Sequence, residues 1–200
     1  MSALDFLRPS GEAVARSPME RQALAAGARF EVRDGWNVAV AFDGESLDAP
    51  AWWADVSHLA KLEAQGRYEL ELGRASRENS AWRCPVTRDR MLVIGDRDAG
   101  GIDGTSSLAA LVIGGPQARE VFARFCALDL RDRSIPVGGF RPGSVARTPG
   151  YVLREDPERF LMLFGWALGE YMWTVVADAA GALGGAPVGV EALDRQVARA

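Results

Sequence analysis

The sequence has few side chains that titrate near neutral pH. His58 is its only histidine and Lys61 its only lysine, and both stand in the segment 53–66. Histidine is the only side chain whose ordinary pKa lies between about pH 5 and 8. The chain therefore has few candidates for proton transfer, and either this segment is an active site or the chain has almost none.

Cysteine and long apolar runs are also scarce. Cys84 and Cys126 are too few and too far apart for a disulfide framework or a zinc site. No run of about 18 apolar residues predicts a membrane-spanning helix. The first residues lack the charged and long apolar regions of a signal peptide. We expect a cytoplasmic, reduced protein without a membrane partner.

The charge balance bears on nucleic-acid binding. A net charge of −4 in 200 residues provides no basic surface for DNA or RNA, so we expect no nucleic-acid partner. The hydrophobic fraction of 48% is that of an ordinary globular protein. The sequence predicts one domain over 17–193, with lobes at about 17–100 and 101–193, preceded by an extended arm at 1–16 and followed by a tail at 194–200.

The N-terminal half is predicted to be mostly short strands. Ser17-Pro18-Met19-Glu20 has the residues of a helix N-cap and capping box, and Gly27 ends that helix. Asp34-Gly35 predicts a hairpin between strands 29–33 and 37–42. Alternation predicts a bent strand pair over 55–65 with Val56, His58 and Ala60 on one face. Further strands are predicted at 68–72, 81–85 and 90–95, with a loop at 73–80.

The C-terminal half mixes strands with two longer helices. A continuous apolar strand at 108–113 is followed by a Gly-Gly-Pro turn and a helix at 117–127. Strands are predicted at 141–147, 150–154 and 160–164, and a breaker-rich loop at 181–189 precedes a short terminal helix. The last long helix, 168–180, is predicted to bury a face that comprises Leu168, Tyr171, Met172, Val175 and Val176. This order predicts an α+β fold with antiparallel sheets and packed helices.

Individual motifs do not identify an active site. Gly114-Gly115-Pro116 follows a strand, where a phosphate could bind, but it lacks the dinucleotide fingerprint and is typical of a tight turn. The acidic loop 97–104 lacks the ligand spacing of a calcium site. Ser57 and His58 point to opposite faces of a strand, and His58 has no second histidine or cysteine nearby. We expect a hydrogen-bonded structural histidine, no metal site, and six tryptophans that serve as core or interface anchors.

The order of several segments resembles the aminomethyltransferases, the glycine-cleavage T-protein group, whose folate-binding domain is the implied fold. The resemblance extends from about 17 to 193. Its motifs are Ser17-Pro-Met-Glu, Gly27-Ala-Arg-Phe, Gly35-Trp-Asn-Val, Asp55-Val-Ser-His-Leu-Ala-Lys-Leu-Glu63, Ala110-Leu-Val-Ile-Gly-Gly-Pro-Gln-Ala-Arg119 and Leu183-Gly-Gly-Ala-Pro-Val-Gly189. Within that superfamily the chain resembles the gamma subunits of heterotetrameric sarcosine oxidases, through Phe125-Cys-Ala-Leu-Asp-Leu130, Pro136-Val-Gly-Gly-Phe140 and Gly143-Ser-Val-Ala-Arg147.

The chain departs from the catalytic members of the group at two motifs. Paired aspartates of the group are missing from Asn79-Ser-Ala-Trp-Arg-Cys-Pro85. Where the group has Arg-Thr-Gly-Tyr-Thr-Gly-Glu, whose glutamate holds the pterin, this chain has Arg147-Thr-Pro-Gly-Tyr151-Val-Leu-Arg-Glu155. A full T-protein also continues into a further domain. The resemblance thus implies a retained fold without a catalytic residue, and leaves Arg147, Tyr151 and Glu155 as the candidates for cofactor binding.

The resemblance implies a noncatalytic gamma subunit of a sarcosine-oxidase-type complex, with alpha, beta and delta subunits as partners. Such a complex oxidatively demethylates sarcosine or a related N-methyl amine, with tetrahydrofolate as the one-carbon acceptor. Its FAD, FMN, NAD, tetrahydrofolate and zinc would lie in the other subunits, and the arm and exposed tryptophans would form the interface. The alternative is a folate-dependent aminomethyl- or methyltransferase that uses Asp55, His58 or Glu155. A folate- or ligand-binding module without turnover is a third possibility.

Overall fold

The structure, a computed structural model, describes residues 13–69 and 71–197. Most of the predicted arm at 1–16 therefore lies outside the described residues, although Ala15–Arg16 forms a short strand, β1. Within the described part, three β-sheets are surrounded by short helices, and two of the sheets enclose an apolar core between them. This arrangement confirms the predicted α+β class.

The first sheet has the order β1-β3-β2, with β2 at Arg29–Arg33 and β3 at Trp36–Ala41. Its predicted hairpin is confirmed, since Asp34 and Gly35 have φ values of 49° and 76°, as a type I′ turn requires. Helix α1 spans Glu20–Ala25, so it begins three residues after the predicted cap. Ser17 Oγ accepts the backbone N–H of Met19 at 3.1 Å and donates to the buried Asp55 carboxylate. The predicted capping box is wrong because the backbone N–H of Glu20 donates to the Ser17 carbonyl and not to its hydroxyl.

The central sheet separates the two larger apolar cores. Its order is β11 (Phe140–Val145), β12 (Thr148–Asp156), β13 (Arg159–Gly165), β10 (Leu108–Gly114), β4 (Trp52–Asp55) and β14 (Ala186–Pro187). All pairings are antiparallel except that of β14 with β4. Strand β10 reads as a continuous apolar run because both of its faces are covered, one by the helices and the other by the third sheet.

The third sheet corrects three sequence-based predictions. Its order is β6 (Ser76–Glu78), β7 (Ala81–Pro85), β8 (Arg90–Ile94), β5 (Lys61–Gln65) and β9 (Ile102–Asp103). Strand β6 lies in the predicted loop 73–80, and the segments 68–69 and 71–72 are not strand. The predicted strand pair 55–65 is interrupted by a turn at 57–59, so Val56, His58 and Ala60 do not share a strand face. β6 is a polar edge strand, which hydrophobic alternation cannot identify.

Helices α1 and α2 are shorter than predicted, α3 buries a different face, and the predicted short terminal helix is confirmed. α2 spans Ala118–Ala123, α3 spans Gly169–Gly181 after a 3₁₀ turn at Trp166–Leu168, and α4 spans Val190–Val197, which extends into the predicted tail. A Cβ on Gly169 would lie 2.6 Å from Pro18 Cβ, so α3 approaches the α1 segment closely at its first residue. Tyr171 is consequently 46% exposed, and the buried face comprises Gly169, Met172, Trp173, Val176, Ala179 and Ala180.

Five of the six tryptophans are buried, and Trp166 is half-buried. Trp52 and Trp53 are neighbours on β4, and each belongs to a different apolar core because successive strand residues point to opposite faces. The prediction that exposed tryptophans form an interface is therefore wrong. No helix in 13–69 or 71–197 is long and apolar enough to cross a membrane.

Candidate functional site

The turn between β4 and β5 is held by buried polar groups. Lys61 is fully buried, and its Nζ donates to the carbonyl oxygens of Ser57 at 2.9 Å and Leu59 at 2.7 Å. Asp55 accepts the backbone N–H of Ser57 at 2.9 Å and the hydroxyl of Ser17. These contacts provide hydrogen-bond partners for the backbone carbonyls and N–H of a turn that pairs with no strand. Lys61 therefore acts as an internal cation that supports the His58 turn.

Burial controls the titration of this group of side chains. Desolvation, together with the charges of Lys61, Arg33 and Arg97, lowers the pKa of His58 to about 4, against a smaller opposing effect of Asp34. Desolvation also lowers the pKa of Lys61 to about 8, against the opposing attraction of Asp55 and Asp103. The imidazole is thus neutral at pH 7, while the ammonium is still mostly protonated.

The His58 side chain lines the wall of a cavity. Within the described ranges no residue hydrogen-bonds to its ring, so the expected hydrogen-bonded histidine is not found. The half-buried ring faces a cavity of about 470 Å³. The apolar wall of this cavity is formed by Val56, Leu59, Trp82, Ile94, Val112, Leu161, Val190 and Leu193. Its polar lining side chains are His58, Arg77, Ser80, Glu155, Arg159 and Asp194.

Glu155 is the most buried carboxylate on this wall. Its Oε1 accepts the indole N–H of Trp82 at 2.8 Å, and its Oε2 lies 3.2 Å from Arg159 Nε. The register of β12 against β13 shifts between Arg154 and Asp156, a β-bulge that places Glu155 as the unpaired extra residue. Burial raises the pKa of Glu155, and Arg159 and Trp82 oppose that shift.

The chemistry of the cavity is limited by these pairings. No carboxylate that lines it, among the residues that the structure describes, lacks an ion-pair partner: Glu155 pairs with Arg159, and Asp194 pairs with Arg33. Arg77 stacks on Trp82 at 5.6 Å from the ring centroid. No group of three or more metal-ligating side chains occurs in 13–69 and 71–197. The arrangement can enclose an apolar ring, its carboxylates are paired, and the neutral His58, with a pKa of about 4, is a weak base beside it.

The chain shares its fold with two solved structures. A chain of the heterotetrameric sarcosine oxidase from Corynebacterium sp. U-96, in complex with pyrrole 2-carboxylate, superposes with a TM-score of 0.64 and 16% identity over 84% of this chain and 95% of that one. The glycine cleavage system aminomethyltransferase T from Bartonella henselae superposes with a TM-score of 0.70 and 14% identity, over 90% of this chain and 60% of that one. The chain has an aminomethyltransferase-like fold. No protein-family profile and no curated protein sequence matches it.

On this aminomethyltransferase-like fold, the candidate cofactor-binding residues are spread along one strand. Glu155 lines the cavity, whereas Tyr151 stacks on Phe140 with ring centroids 5.2 Å apart. Arg147 lies in the exposed turn at the opposite end of β12. A strand rises about 3.3 Å per residue, so eight residues place Arg147 roughly 26 Å from Glu155. The structure therefore does not bring the three residues into one site.

Other residues at the cavity were not predicted from sequence. Trp82 stands in the segment that lacks the paired aspartates, and its indole, not a carboxylate, meets Glu155. Arg159 follows Glu155 by four residues across a turn, and only this spacing could have suggested the pair. Asp55, proposed for the alternative enzyme, lies behind the His58 turn with both carboxylate oxygens hydrogen-bonded.

Proposed function

We propose that the chain is a noncatalytic, gamma-type assembly subunit of a sarcosine-oxidase-type flavoenzyme complex. That complex oxidatively demethylates sarcosine or a related N-methyl amine and passes the one-carbon unit to tetrahydrofolate. In this proposal the FAD, FMN, NAD, tetrahydrofolate and zinc are held by the alpha, beta and delta partners, and this chain binds none of them.

The observation that carries the proposal is the extent of the two structural likenesses. The matched chain of the Corynebacterium heterotetramer is covered over 95% of its length, so a chain with little beyond this fold is part of that assembly. The Bartonella aminomethyltransferase is covered over only 60% of its length. Because nearly the whole of the oxidase chain is matched, this likeness supports a role in the same kind of assembly.

The cavity supports the same proposal. Folate chemistry needs a carboxylate placed to manage the proton on the reacting nitrogen. The apolar wall suits a flat ring, but both oxygens of Glu155 are engaged by Trp82 and Arg159. The neutral His58, whose pKa burial lowers to about 4, is a weak base at pH 7. These contacts support a noncatalytic role for the chain.

Co-purification tests the proposal. The chain, tagged and expressed with the products of its genomic neighbours, is expected to purify in a stoichiometric complex that carries flavin absorbance. Expressed alone, it is expected to give no tetrahydrofolate binding heat in calorimetry. A stable monomer that binds tetrahydrofolate, and loses this binding in Glu155→Gln, would favour the transferase. A large loss of turnover in His58→Asn at unchanged thermal stability would favour it further.

A further inference from the structure

A groove on the helical side of the molecule has an apolar floor and two basic walls. Its volume is about 480 Å³, and it lies between the end of α2, the β11–β12 turn and α3. Phe125, Tyr171 and Val175 contribute apolar surface to it, and Arg124 and Arg147 contribute charge. The groove shares no lining residue with the cavity that His58 and Glu155 line.

The two arginines are brought together by backbone contacts. The backbone N–H of Ala146 donates to the carbonyl of Phe125 at 2.8 Å. Arg124 precedes Phe125 and Arg147 follows Ala146, so the two arginines are attached to neighbouring backbone segments. Tyr171 Oη donates to the carbonyl of Ala146 at 3.1 Å, which fastens α3 to the same turn.

Both guanidinium groups are exposed and lack a charged partner. In the described ranges 13–69 and 71–197, neither Arg124 nor Arg147 takes part in an ion pair or a hydrogen bond through its side chain. The protein as a whole carries a net charge of −4. A positive groove on an acidic protein attracts a short acidic partner, whereas the net charge repels a long polyanion such as a nucleic acid.

The turn that presents Arg147 has an unusual backbone. Val145 pairs with Thr148, so Ala146 and Arg147 form a two-residue hairpin loop, with φ values of 48° and 64°. This type I′ geometry favours asparagine and glycine, and side chains with a Cβ are strained in it. Strained residues that the surrounding structure holds in place cluster at functional sites. Arg147 thus occupies a position at which glycine would relieve the backbone strain.

We infer that this groove docks an acidic, apolar segment of the partner subunit, with carboxylates against Arg124 and Arg147 and an apolar side chain on Phe125 and Val175. The inference rests on the proposed function and names the surface through which the assembly forms. Complementary charge at such a rim steers association and fixes the register of the two chains. The apolar floor provides apolar contact area of the kind found at the core of protein–protein interfaces.

Charge reversal in the complete complex tests the inference. Arg124→Glu and Arg147→Glu are each expected to raise the dissociation constant of the partner complex about ten-fold or more, because like charges then face each other. Arg88→Glu is the matched control. It changes net charge equally at another exposed arginine, in the β7–β8 turn, and is expected to leave the dissociation constant within about two-fold.

Arg147→Gly distinguishes docking from folding. Glycine relieves the positive φ, so the unfolding midpoint of the isolated chain is expected to rise by roughly 2–4 °C. The same substitution removes the guanidinium, so the affinity for the partner is expected to fall about three- to ten-fold. A residue with only a structural role would not raise stability and lower affinity together.

The outcomes separate the inference from the proposed function. If the complex forms and the groove variants bind as tightly as Arg88→Glu, the docking inference is overturned while the subunit proposal stands. If no complex forms with the wild-type chain, both are overturned. Selective weakening by the groove variants, with a reduced salt dependence of the remaining affinity, supports the inference.

Discussion

His58 provides a direct test of the electrostatics of the site, because it is the only histidine of the chain. The substitution His58→Gln removes the titrating ring and keeps a neutral polar side chain of similar reach. Desolvation, with the nearby charges of Lys61, Arg33 and Arg97, lowers the pKa of the folded ring to about 4. In the unfolded chain the ring has its ordinary pKa of about 6.5.

The sign and size of the effect follow from linkage. A depressed pKa means that the unfolded chain takes up the proton first, so stability is intact above about pH 6.5 and is lost as the pH falls toward 4. Between about pH 7.5 and pH 5 the two pKa values correspond to roughly 2 kcal/mol of unfolding free energy. Solvent at the half-buried ring reduces this to about 1–2 kcal/mol.

The assay combines urea unfolding with an NMR titration. The wild-type chain is expected to lose about 1–2 kcal/mol more than His58→Gln between these two pH values. Asp55 and Glu155, whose pKa values burial raises, change stability with the opposite sign in both proteins, so the difference isolates the imidazole. A single imidazole signal that titrates near pH 6.5, or identical pH slopes in the two proteins, would refute the reasoning.

Two further predictions concern packing and pairing. Trp82→Phe removes the N–H that Glu155 accepts and is expected to cost about 1.5–3 kcal/mol in urea unfolding, and the cost in a Glu155→Gln background should be smaller. Equal costs in both backgrounds would contradict the pair. Gly189→Ala places a Cβ 2.0 Å from the Val40 carbonyl oxygen and is expected to cost about 2–4 kcal/mol. Gly181→Ala, which meets no atom within 4 Å, is the control, and a similar loss there would show that the contact is not the cause.

Local patterns predicted the parts of the fold whose contacts are short-range. The hairpin at Asp34-Gly35 was predictable because the turn chemistry is contained in two residues. Strand β10 was predictable because a strand covered on both faces reads as a continuous apolar run. The α+β class followed from the order of such segments.

Contacts between distant segments decided the features that were predicted wrongly. Ser17 Oγ accepts the nearby Met19 N–H, as its type predicts, but its hydroxyl also donates to Asp55, 38 residues away, which the local sequence does not record. Tyr171 lies on the predicted apolar face of α3, but close packing of Gly169 on Pro18 leaves it 46% exposed. β6 pairs with β7 through its backbone, which leaves no mark on side-chain hydropathy.

The candidate site shows the same division. The sequence predicted a candidate site in the segment 53–66, because that segment contains the only histidine and the only lysine. Burial then decided what each does: Lys61 supports two carbonyls inside the protein, and His58 faces a cavity as a neutral ring. Glu155 was a candidate by motif, but its partner Trp82 stands 73 residues earlier in the chain.

The sequence by itself determined the strands with clear periodicity, the α+β class and the scarcity of side chains that titrate near neutral pH. These follow from residue type and spacing, which act over a few residues. Only the tertiary structure decided which polar groups are paired, where the cavity lies, and that Arg124 and Arg147 share a groove. Charge and desolvation depend on neighbours in space, and folding sets those neighbours over separations that no local pattern records.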